Sequence, residues 1–146
     1  MGLNKSGQKY GVLLNISKQG AAQKNISEAV LKMKVYIPEE LTMPNAEGFV
    51  PALRFAVRDR NWTQYFLTGE IGKSFTFNDI GAGWHTITID FASKTFDLGS
   101  RSGTFNVSAT PLKACNMIDL YISGQKINSN LDVPILIDWI DLTNVQ

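Results

Sequence analysis

One cysteine and one histidine occur in this 146-residue chain, and the two shortages exclude whole classes of chemistry. Cys115 has no partner for an intrachain disulfide, and one cysteine with one histidine cannot build the usual structural zinc site. His85 is the sole imidazole open to a hydrolase triad. It shares strand parity with Ile87, Ile89 and Phe91, which points to a packed or edge side chain rather than a general base. The nucleophile-elbow pattern GxSxG is absent. The glycines of GAGW, Gly81 to Trp84, lack both a Walker lysine and a following helix, so they read as a turn.

Charge is scarce as well. Charged residues make up 18%, and 14 basic side chains against 13 acidic ones give a net charge of +1. No basic block or stripe is present, so the electrostatic footprint of a nucleic-acid binder is missing. No apolar run approaches the ~18 residues of a membrane span, and MGLNKSGQKYG lacks the apolar core of a signal peptide. The opening is expected to be a start cut from a longer chain, with any export signal removed.

What the chain does have is alternation. In Ala29 to Ile37, Ala29, Leu31, Met33, Val35 and Ile37 point one way and Lys32, Lys34 and Tyr36 the other. Leu53, Phe55 and Val57 form the buried parity of ALRFAVR, opposite Arg54, Ala56 and Arg58. In NMIDLYIS, Ile118, Leu120 and Ile122 face inward, and Asp119 and Tyr121 outward. PILIDWIDL is apolar on both parities except for its aspartates, which predicts an inner strand covered on both sides. The region from Ala92 to Pro111 is rich in Ser, Thr and Gly and predicts a long connection. No window keeps a helical period. These signals predict one all-β domain over residues 1–146, about eight strands in a two-sheet β-sandwich or jelly roll.

Catalytic residues are hard to find. The carboxylate pairs Glu39 with Glu40, Asp59 with Glu70, Asp90 with Asp97, and Asp138 with Asp141 read mostly as turn or surface groups, so no enzyme activity is expected. Asp138 and Asp141 flank Trp139 in an otherwise apolar strand. Either one of them hydrogen-bonds a turn or reaches the edge of the sheet, or a hard cation such as Ca²⁺ offsets the cost of burying a carboxylate there.

Recognition is better supplied. Sugar rings stack on flat aromatics, and their hydroxyls take planar donors and acceptors. Tyr36, Arg54, Arg58 and Tyr121 are predicted on one face of one sheet, with Trp62, Asp59, Gln64 and Gln125 near its rim. Each has an ordinary alternative: Trp62 as an edge plug, and Arg54 and Arg58 as surface ion-pair partners of Glu28 or Asp119. Trp84 is either a ligand contact or a cap on the sandwich end, and Trp139 reads as core.

GWHTITIDF, NMIDLYISGQ and PILIDWIDL, in that order, resemble the closing strands of β-sandwich carbohydrate-binding modules attached to bacterial plant-cell-wall glycoside hydrolases. VLKMKVYIPEEL is similar to their earlier strand and its proline-terminated loop. The likeness runs from Gly11 to Leu142 and is nearest to the mannan- and β-glucan-binding families 27 and 11. It implies a galactose-binding-domain-like jelly roll, extracellular, monomeric and non-catalytic, that grips a soluble plant polysaccharide chain for an attached catalytic domain. It also implies a structural calcium whose ligands include Asp138. A jelly-roll assembly module of a capsid, fibre or cell-surface protein is the alternative.

Overall fold

A computed structural model of the chain describes residues 11–15, 22–44, 48, 50, 52–61, 63–69, 75–99, 101–123 and 135–146. Every strand pair in it is antiparallel. One sheet runs in the order β1 (Gly11–Asn15), β10 (Met117–Ser123), β3 (Ala52–Arg58), β4 (Gln64–Phe66), with β6 (Phe75–Thr76) also paired to β3. The other, of six strands, runs β11 (Leu136–Thr143), β2 (Val30–Ile37), β7 (Gly83–Asp90), β8 (Thr95–Asp97), β9 (Ser102–Asn106), β5 (Thr68–Gly69). Helix is confined, among the described residues, to a 3₁₀ turn at Glu39–Thr42 and the short helices α1 (Phe77–Ile80) and α2 (Ala109–Lys113).

One cluster of buried side chains draws on both sheets. Leu31, Met33, Val35 and Ile37 of β2 and Ile87 and Ile89 of β7 meet Leu53, Phe55 and Val57 of β3 and Ile118 and Leu120 of β10 there. Strand alternation sends these positions to one side, and burying that side is the main driving force for bringing the sheets together. The chain passes from one sheet to the other between β4 and β5, at Leu67, which is buried and donates its N–H to the Phe55 carbonyl at 3.0 Å.

Two expectations are corrected. The segment from Ala92 to Pro111 is not a long connection: it holds β8, β9 and the start of α2. Phe96, Leu98, Phe105 and Val107 are among its inward residues, and Gly103 makes room for the first, since a Cβ at 103 would lie 3.0 Å from Phe96 Cζ. The closing strand is an edge of its sheet rather than an inner strand. Its pairing with β2 shifts register between Ile137 and Trp139, leaving Asp138 as the extra residue of a bulge. Ile137, Ile140 and Leu142 therefore pack against the core while Leu136 and Trp139 both face outward. An unbulged strand would put Trp139 on the parity of Ile137, which is why an alternation count takes it for core.

Candidate functional site

Each sheet presents its other parity on the side away from the core, and the sequence-predicted residues divide between these two faces. Tyr36 belongs to the six-stranded sheet, whereas Arg54, Arg58 and Tyr121 belong to the five-stranded one. The single face predicted for all four does not form, because β2 pairs with β7 and β11, not with β3.

On the five-stranded sheet, Arg54 lies opposite Tyr121 in register, Ala56 opposite both Asp119 and Phe66, and Arg58 opposite both Met117 and Gln64. Here the backbone alone is described for Arg54, Gln64, Phe66 and Tyr121. Ala52, Ala56, Met117 and Asp119 are buried, yet none belongs to the core cluster, so this outward face has a floor sheltered from water. Arg58 Nε donates to Asp119 Oδ2 across that floor. This is the Asp119 pairing given above as the alternative for Arg58, but it is not a surface pair: the Asp119 side chain is 2% exposed and that of Arg58 26%.

Asp59, predicted near the rim of the site, follows β3. Its Oδ1 accepts the N–H groups of Asn61 and Thr63 at 2.8 and 3.1 Å, and its Oδ2 accepts the Tyr65 hydroxyl at 3.2 Å. Asp59 is thereby the anchor of the β3–β4 hairpin. Burial first, then the Asp59 carboxylate, pushes the Tyr65 phenol up from its ordinary value. Trp62, in this hairpin, and Gln125 lie outside the described residues.

On the six-stranded sheet, β11, β2 and β7 place Leu136, Tyr36 and Trp84 side by side, and the next row holds Trp139, Lys34 and Thr86. Trp84 is 51% exposed, so it is no cap over the core. Its ring lies 5.5 Å from that of Tyr36, tilted by 60°, and Lys34 Nζ sits 5.1 Å from its centroid. Trp139, expected in the core, is 40% exposed. An open depression of about 560 Å³ runs from Trp84 past Thr86 and Thr88 to Asp97. A second, of about 410 Å³, shares Thr88 and Asp97 and continues to Ser102 and Thr104.

Asp138 is exposed at the bulge, 3.3 Å from Lys34 Nζ. The burial cost that argued for a cation there does not arise. Ca²⁺ takes 6–8 oxygen ligands; among the described residues no group of three or more His, Cys, Asp or Glu is gathered, and the neighbour of Asp138 is itself a cation.

His85 shares the parity of Ile87 but lies only partly buried at the start of β7, between the turns at Gly81 and Gly99, with Nε2 3.0 Å from the Ala82 carbonyl. Asp90 Oδ1 accepts from Ala92 and Ser93, and Asp97 Oδ1 from Gly99, so both are turn carboxylates as their spacing suggested. Sequence reasoning missed Trp139, Lys34 and the threonine row. The row itself was legible, because Trp84, Thr86 and Thr88 alternate with His85, Ile87 and Ile89. Compared with models of known families, with curated proteins and with solved structures, the chain has no match in any of the three.

Proposed function

We propose that this is a non-catalytic carbohydrate-binding module whose two sheets stack as a jelly-roll sandwich. Its ligand is a soluble β-linked plant polysaccharide, a mannan, glucomannan or β-glucan, and it serves an attached glycoside hydrolase outside the cell. The ligand reaches the five-stranded sheet at Arg58, whose side chain is partly exposed above the buried floor of the outward face.

The observation that supports this reading is the Arg58–Asp119 pair. Taking two charges out of water costs several kcal/mol, and apolar side chains of similar volume hold a sheet at least as well. A face that keeps such a pair gains a planar donor fixed in orientation, the kind of group that hydroxyl recognition uses. Arg54 lies opposite Tyr121 and Arg58 opposite Gln64 in the register of the same strands.

The test is affinity electrophoresis in native gels containing galactomannan, glucomannan, barley β-glucan or xylan. The wild-type chain is expected to be retarded by one or two of them. Arg58→Lys keeps the charge and loses the fork, so binding weakens by about tenfold with little change in melting temperature. Unchanged affinity would remove Arg58 from the site. Normal mobility in every gel, together with concentration-dependent sedimentation, would instead favour an assembly module, a reading to which the exposed Trp84, Leu136 and Trp139 lend some support.

A further inference from the structure

The outward face of the six-stranded sheet has no part in that reading, and its side chains are graded from one end to the other. Aromatic surface is concentrated at the Tyr36 and Trp84 end. Beyond Trp84 the lining turns to hydroxyls and one carboxylate: Thr86, Thr88 and Asp97, then Ser102 and Thr104. Register explains the order. Thr88 lies opposite Asp97, which lies opposite Ser102, so the polar groups form a row across β7, β8 and β9. From Trp84 to Thr88 is about 13 Å along the strand, and the row adds two strand spacings, about 10 Å, across it. The two depressions meet at Thr88 and Asp97, which line both.

A protein interface concentrates its apolar anchors at the centre and its polar groups at the rim. This face has the aromatic at one end and hydrogen-bonding groups over the rest. Trp84 is also held ready. Tyr36 on one side and Lys34 over its ring limit the orientations it can take, which lowers the ordering cost on binding. Charge selects further. Lys34 is matched by Asp138, and Asp97 is the one carboxylate lining the two depressions. An anionic polymer would meet Asp97 as a like charge, whereas a hydroxyl would donate to it.

We propose that this face is a second carbohydrate-binding surface, separate from that of the five-stranded sheet, on which Trp84 stacks against one ring of an uncharged glycan chain. Thr86, Thr88, Asp97 and Ser102 hydrogen-bond the rings that follow. Two surfaces on opposite sides of one core let a single domain bridge two chains or two turns of one.

The test uses native gels with galactomannan, glucomannan, barley β-glucan, xylan and polygalacturonate, run with the wild type, Trp84→Ala, Asp97→Asn, Arg58→Lys and the Trp84→Ala/Arg58→Lys double variant. Trp84 and Asp97 are both exposed, so their replacement should leave the fold intact, as melting temperature would show. Trp84→Ala is expected to weaken binding to the neutral polymers by about tenfold. The double variant should fall below either single one, and Asp97→Asn should bind polygalacturonate better than the wild type does. Wild-type mobility of Trp84→Ala in every gel would overturn the proposal while leaving the five-stranded site standing. Unretarded wild type would overturn both. A self-association abolished by Trp84→Ala would reassign the face to a second copy of the chain.

Discussion

Asp119 is a carboxylate that strand alternation turns away from the core and that the fold nevertheless buries, with Arg58 as its counter-charge. Removing one partner strands the other, so Arg58→Ala is expected to destabilise the domain by about 3 kcal/mol in urea unfolding. The Lys34–Asp138 pair is exposed, and Lys34→Ala should cost about 0.5 kcal/mol or less. Cys115 adds a dependence on pH. Burial pushes its thiol up from 9.0 to about 11. Between those values the unfolded chain has given up the proton that the folded chain still holds. Stability is therefore fully present below about pH 9 and falls as pH rises toward 11, by up to about 2–3 kcal/mol. Tyr65 acts with the same sign above its unfolded value of 10.0. Urea midpoints measured across this window should fall in the wild type and fall less in Cys115→Ala. Neither the burial of Asp119 nor that of Cys115 was legible from its neighbours in sequence, because each depends on what the fold lays over it.

Elements were legible where alternation is strict and obscure where it is broken. The parities of β2, β3, β7 and β10 follow from their spacing of Val, Ile, Leu and Phe, and the buried set agrees with them. The closing strand fails this test because one residue is inserted. With Asp138 bulged, its apolar residues serve both faces, and a count that assumes period two sees only a strand covered on both sides. Deleting Asp138 joins Ile137 directly to Trp139, and these two already pair with the consecutive residues Val35 and Lys34, so Ile140 and Leu142 should stay inward and Trp139 outward. The urea midpoint should therefore change little in the deletion, as in Asp138→Ser, and a large loss in the deletion alone would contradict the bulge. The strands β8 and β9 were hidden by their brevity and by Gly103, which interrupts the pattern in order to admit Phe96. Gly103→Ala places a methyl 3.0 Å from that ring and should destabilise by about 1–3 kcal/mol, with Phe96→Leu restoring part of the loss.

At the scale of the molecule, the predicted site was a list of residues whose directions could be read and whose sheet could not. Tyr36 and Arg54 both point away from the core strands' inward parity, yet long-range pairing puts one beside Trp84 and the other opposite Tyr121. Sheet membership rests on contacts between strands far apart in sequence, which local alternation does not encode. The result is two outward faces of different character. One is built over a buried ion pair; the other is graded from aromatic rings to hydroxyls. Both are proposed to take an uncharged, hydroxyl-rich chain, and the near-neutral balance of 14 basic and 13 acidic side chains adds no strong field for or against one. The domain is expected to sediment as one species across a broad concentration range. The most direct measurement of its proposed role is calorimetric titration of the wild-type chain with soluble manno- and gluco-oligosaccharides. Saturable heat with at least one series is the predicted result. No heat with either, from a chain whose sedimentation depends on concentration, would contradict carbohydrate recognition and leave a protein-assembly surface in its place.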